Sequence, residues 1–139
     1  MFEYRIQRYM QYSISRNSST SQFIQITLNL QCSAKEKINH QLAAWRPGRY
    51  ELANYAQKIR GFEVFFQGNK VSWTKKTKDL WQFESSEEGV YEIHYEFYAN
   101  QMDAGGSWSD ESQLYLNFGN TIFEILGREN ESIEVAIDI

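Results

Sequence analysis

The chain has 139 residues and a formal net charge of −4 at pH 7. That length is typical of one domain, and the negative charge argues against nucleic acid, whose phosphates are neutralised by clustered lysine and arginine. No run approaches the ~18 apolar residues of a membrane span, and residues 1–5 alternate apolar and polar, unlike a signal peptide. We therefore expect a single domain over residues 1–139, cytoplasmic, with neither nucleic acid nor membrane as partner.

The single cysteine, Cys32, cannot form a disulfide within the chain. It continues the alternating apolar residues that precede it, so we expect a buried thiol that acts as a small hydrophobic side chain. A catalytic role is disfavoured because no histidine is placed in the sequence to activate this thiol.

Alternation of apolar and polar residues dominates the first part of the chain and is typical of half-buried strands. Apolar even positions predict a long first strand over residues 2–14, and a polar loop at residues 17–21 leads to a return strand over about residues 22–32. A third strand is predicted over residues 37–44, with one face formed by Ile38, His40, Leu42 and Ala44.

The pattern changes after residue 50, where helical spacing of apolar residues predicts two turns of helix over residues 51–58. Strands then return, at about residues 59–67, 71–74, 79–84, 90–99, 114–118, 121–126 and 133–139, with a long loop at 100–112. The strands at 114–118 and 121–126 are predicted to pair as a hairpin. Turn signals every 8–12 residues or so favour a mainly β fold. We predict an antiparallel β-sandwich of about eight to nine strands with one short helix near residues 51–58.

The final strand alternates up to the last residue, with no turn or polar tail after Ile139. A natural domain can end on a strand, but an uncapped alternating run also indicates a cut between domains. We expect the chain to be the N-terminal fragment of a larger multidomain protein.

No complete set of catalytic residues is recognisable. Glu92, His94 and Glu96 would share one strand face and superficially resemble a metal-binding stripe. That face of a sandwich is usually the solvent side, and a zinc site needs firm ligands held by further hydrogen bonds. The sequence also lacks a His-Glu-x-x-His helix, a nucleophile elbow, a P-loop and a dinucleotide fingerprint. We therefore assign no catalytic, cofactor-binding or metal-ligating residue to this chain.

Aromatic residues are abundant, with nine Phe, nine Tyr and four Trp. Exposed rings on a β-sandwich could form stacking platforms of a carbohydrate-binding module. The simpler interpretation is that large rings fill the space between the sheets.

One segment is too particular for a generic β domain. Pro47 fixes its own φ and pushes the preceding residue into extended geometry, which ends the third strand. Gly48 permits a positive φ, so the pair predicts a type II turn. The flanking rings can pin this turn to the sandwich while two arginines project from it. The segment comprises Trp45, Arg46, Pro47, Gly48, Arg49 and Tyr50.

The run from Leu42 to Leu52, followed by Ala56 and Ile59, resembles the N-terminal domain of the glycyl aminopeptidase family of zinc metallopeptidases. In that family a strand ends in a Leu-Pro-x-Trp-x-Pro-Gly-x-Tyr-like segment before a short helix. Here alanine, at residue 43 or 44, stands where proline is common. Residues 91–99 and the glycine-containing loop at 104–111 that leads to residues 114–117 are also similar, in the same order and spacing. The resemblance covers essentially the whole chain.

The resemblance implies a β-sandwich-like domain placed before a thermolysin-like catalytic domain and often a PDZ domain. The zinc ligands and catalytic glutamate belong to that catalytic domain, so zinc is expected there and no cofactor is expected in this chain. The implied partner is the catalytic domain of the same polypeptide, and the implied parent enzyme removes N-terminal residues such as glycine or alanine.

We therefore hypothesise a non-catalytic accessory domain that packs on the catalytic domain and helps shape its substrate cleft. Rigid turns and long loops carry such contacts more often than strands do, although the turn at residues 45–50 can equally serve only to brace the sandwich. The alternative is a free-standing β-sandwich module that binds carbohydrate or peptide; an enzyme in its own right would need a polar cleft that the sequence does not reveal. The candidate interdomain contacts are Trp45, Arg46, Pro47, Gly48, Arg49, Tyr50, Gly105, Gly106, Trp108 and Asp110.

Overall fold

The computed structural model describes residues 9–16, 22–42, 55–99, 107–109, 114–115 and 122–138. These residues form twelve strands and one short 3₁₀ helix, η1. In chain order they are β1 (Tyr9–Ser15), β2 (Phe23–Cys32), β3 (Lys37–Gln41), η1 (Tyr55–Lys58), β4 (Ile59–Phe66), β5 (Asn69–Val71), β6 (Trp73–Thr77), β7 (Leu80–Glu84), β8 (Gly89–Tyr98), β9 (Trp108–Ser109), β10 (Leu114–Tyr115), β11 (Glu124–Ile125) and β12 (Ser132–Asp138).

The described strands form two main sheets and one short pair. The larger sheet has six strands in the order β12-β1-β2-β8-β4-β5, the smaller has four in the order β11-β3-β7-β6, and β9 pairs with β10. The two main sheets pack face to face as a sandwich, so the predicted mainly β sandwich is confirmed. Among the described strands, every pairing is antiparallel except that of β1 with β12, which is parallel.

The core of the larger sheet follows the alternation seen in the sequence. Along β2, even-numbered side chains are buried and odd-numbered ones are half-buried. The register of β2 with β8 sets Ile26 opposite Tyr95 and Leu28 opposite Ile93, so that apolar side chains share one face. Cys32 ends this row with its thiol fully buried, 3.6 Å from the Leu30 carbonyl oxygen, which confirms its predicted role as a small hydrophobic side chain.

Aromatic rings fill the space between the two sheets. Phe62 of β4 lies 5.7 Å from the ring of Trp81 on β7, and both rings contact Phe123. The Tyr12 hydroxyl on β1 donates a hydrogen bond of 3.1 Å to the Phe123 carbonyl oxygen. Burial raises the pKa of Tyr12 above its usual range, so this hydroxyl stays protonated as a donor. Ring packing and this hydrogen bond join β1 of one sheet to the segment that enters β11 of the other.

The structure describes one predicted helix in part and corrects one predicted hairpin. Residues 55–58 of the predicted helix form η1, while residues 51–54 lie outside the described part of the chain. The predicted hairpin between residues 114–118 and 121–126 is wrong in its described parts. Leu114–Tyr115 pairs with Trp108–Ser109, inside the predicted loop, and Glu124–Ile125 pairs with β3. Alternation specifies the face on which a side chain lies but does not specify the neighbouring strand.

Within the described residues, no helix has the length and apolar character to cross a membrane.

His40 is a buried polar residue inside this core. Its Nδ1 lies 3.3 Å from the Trp81 carbonyl oxygen, and the rings of Phe62, Phe83 and Phe123 surround it at centroid distances of 5.5–5.6 Å. Among the described residues, its Nε2 has no hydrogen-bond partner. Burial lowers the pKa of His40 to about 4, although the hydrogen bond to Trp81 opposes this effect. The imidazole is therefore neutral at pH 7, with Nδ1–H donating to Trp81.

We expect His40 to make the stability of the domain depend on pH. The imidazole titrates near 6.5 when unfolded and near 4 when folded, so the unfolded state binds more protons between these values. Stability should fall as the pH drops from about 6.5 to about 4, with a total loss from this group of about 3 kcal/mol.

The measurement is urea unfolding of the wild type and of His40→Leu at several pH values from 7.5 to 4. Because carboxylates titrate equally in both proteins, the difference in slope over this window isolates His40. Parallel pH profiles for the two proteins would contradict the assignment.

Gly89 begins β8 at a position that excludes a side chain. Its φ is +154°, and a Cβ built there would lie 2.8 Å from the Phe66 ring. That ring cannot easily retreat, because it stacks on Tyr91 at a centroid distance of 4.4 Å. Gly68 offers a matched comparison: its φ is +81°, but no atom lies within 4 Å of a Cβ there.

We predict that Gly89→Ala destabilises the fold by about 2–4 kcal/mol, since it adds overpacking to backbone strain. Gly68→Ala should destabilise the fold through backbone strain alone, by about 1–2 kcal/mol. Urea denaturation of both variants measures the difference. Equal losses in the two variants would show that the Phe66 ring yields without cost.

Candidate interdomain surface

The candidate contacts predicted from the sequence fall largely outside the described residues. This applies to the turn at residues 45–50 and to Gly105, Gly106 and Asp110. Trp108 is described at the backbone, where it begins β9 and pairs with Tyr115 of β10. The last residue of β3, Gln41, pairs with Glu124 of β11 on one side and with Leu80 of β7 on the other.

Large aliphatic side chains are exposed at four described positions. Ile133 and Ile137 on β12 are 53% and 51% exposed, and Leu126 and Val90 are each 42% exposed. The first two, with the half-buried Val135 between them, form a continuous row that we call the β12 apolar row. Among the side chains that the structure describes, no other strand carries more than one exposed large aliphatic residue.

The β12 apolar row has the same orientation as the buried core. Met10, Tyr12 and Ile14 of β1 pair with Ile133, Val135 and Ile137 respectively. Paired residues on adjacent strands project to the same side of a sheet. The β1 side chains are at most 2% exposed, whereas the two isoleucines of β12 remain half accessible. The edge strand therefore has the pattern of a core strand without being fully covered.

A groove lies beside the start of this row. Its volume is about 340 Å³, and it separates β12 from the segment at residues 122–129. Five of its eight lining residues are apolar and three are charged. The lining residues are Met10, Ile122, Phe123, Glu124, Ile125, Arg128, Glu129 and Ile133.

A buried ion pair fixes the turn that leads into β12. Arg128 is 6% exposed, and its Nε and Nη2 each donate a hydrogen bond of 2.6 Å to the Glu131 carboxylate. Its Nη1 lies 3.8 Å from Oε1 of Glu36, in the turn between β2 and β3. Bidentate arginine–carboxylate pairs define both distance and orientation. The position of β12 is therefore fixed at its start by this turn and along its length by its pairing with β1.

The stripe of Glu92, His94 and Glu96 lies on the outer face of the larger sheet, as the sequence suggested. His94 Nε2 lies 3.1 Å from Glu92, while Glu96 instead accepts a hydrogen bond of 2.9 Å from Arg60. The three side chains do not converge on one point. Within the described ranges, no group of three His, Cys, Asp or Glu side chains is arranged to hold a metal ion.

Burial of the described aromatic residues supports core packing more than ligand stacking. Trp81, Phe83, Tyr91 and other large rings are at most 5% exposed. On the outer face, Phe23 stacks on Tyr98 and is covered by the Arg60 guanidinium, 3.3 Å from the ring centroid. For the buried rings, the interpretation that they fill the space between the sheets is confirmed.

A family model and one solved structure agree with this architecture. A family model described as the Peptidase M61 N-terminal domain matches residues 11–139. No curated protein matches the chain. An aminopeptidase N family protein from Idiomarina loihiensis is 18% identical, with a TM-score of 0.81 over 92% of this chain and 22% of that chain. An M1 zinc metallopeptidase from Deinococcus radiodurans is 14% identical, with a TM-score of 0.37 over 74% of this chain and 23% of that chain.

The chain thus spans less than a quarter of the length of either solved protein. At 18% identity, the likeness to the Idiomarina protein shows the fold. The family match is broader evidence, since it covers nearly all of the sequence. It confirms the resemblance to a metallopeptidase N-terminal domain: the chain belongs to the Peptidase M61 N-terminal domain family.

Proposed function

We propose that this chain is the non-catalytic accessory domain of a glycyl-aminopeptidase-like zinc metallopeptidase. In this proposal residues 1–139 pack on the catalytic domain of the same polypeptide and help shape its substrate cleft. Family membership supports a peptidase parent. The share of the Idiomarina aminopeptidase N family protein that the chain covers, 22%, supports a position as one domain among several.

The observation that carries the proposal is the β12 apolar row. Complete burial of an aliphatic side chain contributes about 1.5–3 kcal/mol. Covering the exposed halves of Ile133 and Ile137 would therefore contribute about 2 kcal/mol to an interface. A second domain in the same polypeptide would bury this surface permanently, whereas it is accessible in the chain described here.

The proposal assigns zinc and bond cleavage to the catalytic domain. Zinc in a peptidase is held by three protein ligands and activates a water molecule. The described residues of this chain do not fit that requirement, because they contain no group of three suitable ligands. Cys32 and His40 are each buried within the apolar core rather than facing a cleft. The proposed contribution of this domain is to the shape of the substrate cleft. A cytoplasmic location for the parent protein stays a prediction.

The first test is to read the coding sequence beyond the codon for Ile139. We expect a downstream region that encodes a His-Glu-x-x-His helix. A reading frame that ends shortly after this codon would contradict the proposal and favour a free-standing module.

The second test measures binding between residues 1–139 and the separately expressed downstream region. Ile133→Asp combined with Ile137→Asp should weaken binding by about tenfold or more, since it removes apolar contact and adds charge. Val90→Asp is the matched control, because Val90 is comparably exposed but lies on the outer face of β8. Thermal denaturation checks that each variant is folded. Equal binding by the wild type and the double variant would remove the row from the interface.

The turn at residues 45–50 is proposed as a further contact in the same interface. Pro47→Ala with Gly48→Ala should reduce both binding and peptidase activity of the assembled protein, because alanine frees the φ of the first position and disfavours a positive φ at the second. Unchanged binding and activity, with lower thermal stability, would instead assign the turn a purely structural role.

A further inference from the structure

β12 differs from the other described sheet edges in being long and regular and in lacking lysine. Sheet edges expose unpaired N–H and C=O groups and are normally blunted by shortness, charged side chains (lysine above all), proline, a bulge or a covering segment. In the larger sheet the opposite edge, β5, has three residues and includes Lys70. In the smaller sheet β11 has two residues, and β6 includes Lys75 and Lys76. Each of these edges uses at least one such device.

β12 is neither short nor bulged, and its charged side chains are the carboxylates of Glu134 and Asp138 on the outer face. Its sequence, Ser-Ile-Glu-Val-Ala-Ile-Asp, contains neither lysine nor proline. Its seven residues pair with β1 in unbroken register, from Tyr9 opposite Ser132 to Ser15 opposite Asp138. Among the described strands, β1 is its neighbour on one side and no strand pairs on the other. A long, regular and open edge of this kind can accept an added strand through main-chain hydrogen bonds.

The two faces of β12 define what that added strand must carry. The inner face presents the β12 apolar row, and the groove beside Ile133 can receive one more apolar side chain. The outer face presents the exposed side chains of Glu134 and Asp138, whose carboxylates make no hydrogen bond or ion pair among the described residues. Opposite charges on directly paired strands stabilise a sheet, and like charges destabilise it. The complementary strand therefore alternates aliphatic residues with lysine or arginine.

The same charges disfavour a second copy of this chain as the occupant. Antiparallel pairing of two β12 strands would add Glu134 and Asp138 of the second copy to the same outer face. Four carboxylates would then lie on two neighbouring strands with no basic residue in either one. A partner of opposite charge avoids this repulsion.

We propose that β12 is an acceptor edge that binds a strand of the catalytic domain, with aliphatic side chains on the inner face and basic side chains on the outer face. The source of the strand rests on the function proposed above, whereas the capacity of the edge to accept a strand does not. The added strand would extend the six-stranded sheet and cover the β12 apolar row.

The test titrates the 139-residue chain with an acetylated peptide of alternating lysine and valine, seven residues long, at low ionic strength. Backbone amide exchange measured by NMR locates the binding site. We expect protection at β12 and binding about tenfold tighter than that of a matched glutamate–valine peptide. Glu134→Lys with Asp138→Lys should reverse this preference. Glu87→Lys with Glu88→Lys, an equal charge change at an exposed turn, should leave it unchanged.

Three outcomes would overturn the proposal. One is the absence of β12 protection at millimolar peptide. Another is equal binding of the basic and acidic peptides. The third is dimerisation of the chain without peptide, with protection at β12, which would identify a second copy as the occupant.

Amide exchange in the complex with the downstream region separates this inference from the function on which it rests. A stable complex that protects another surface and leaves β12 exchanging would contradict the acceptor edge and leave the accessory function intact. Failure to form any complex would contradict the accessory function and the source of the strand. The peptide titration decides in either case whether the edge accepts a strand.

Discussion

The pairing of β2 with β8 is the constraint on which the rest of this domain depends. It extends over ten residue pairs in unbroken register, from Phe23 opposite Tyr98 to Cys32 opposite Gly89. Because side chains alternate along each strand, this register places the buried apolar residues of both strands, from Ile24 to Cys32 and from Tyr91 to Phe97, on one face. A shift of one residue would turn that face toward water. β1 and β4 pair on either side of this centre, and the smaller sheet packs over the resulting apolar surface.

The alternation in the sequence predicted much of this arrangement, because burial on a strand is a local property with a period of two. The buried rows of β2, β3 and β8 follow directly from it. Sequence also predicted that Cys32 is buried. Partner choice is not local, however, so the parallel pairing of β1 with β12 and that of β11 with β3 could not be read from alternation.

The candidate site shows the same limit more sharply. Alternation through residues 133–139 predicted a strand. It could not show that β12 lies at an edge, or that its isoleucines are half exposed while their partners on β1 are buried. These facts depend on strand order and sheet packing, which alternation does not specify. The sequence pointed instead to the turn at residues 45–50, which identifies the family and lies outside the described residues.

The manner in which β12 is held bears on how strongly it can bind. A flexible terminal segment would lose backbone entropy on docking, about 1–2 kcal/mol for each residue fixed. Here seven register pairs with β1 and the bidentate hydrogen bonds of Arg128 with Glu131 have already fixed the strand. When a strand docks, only the docking strand loses conformational entropy, because β12 is already ordered. This is the advantage of a preorganised surface. In the function proposed above, the domain would contribute a rigid and chemically patterned edge, and it would act on the catalytic domain through position rather than through chemistry.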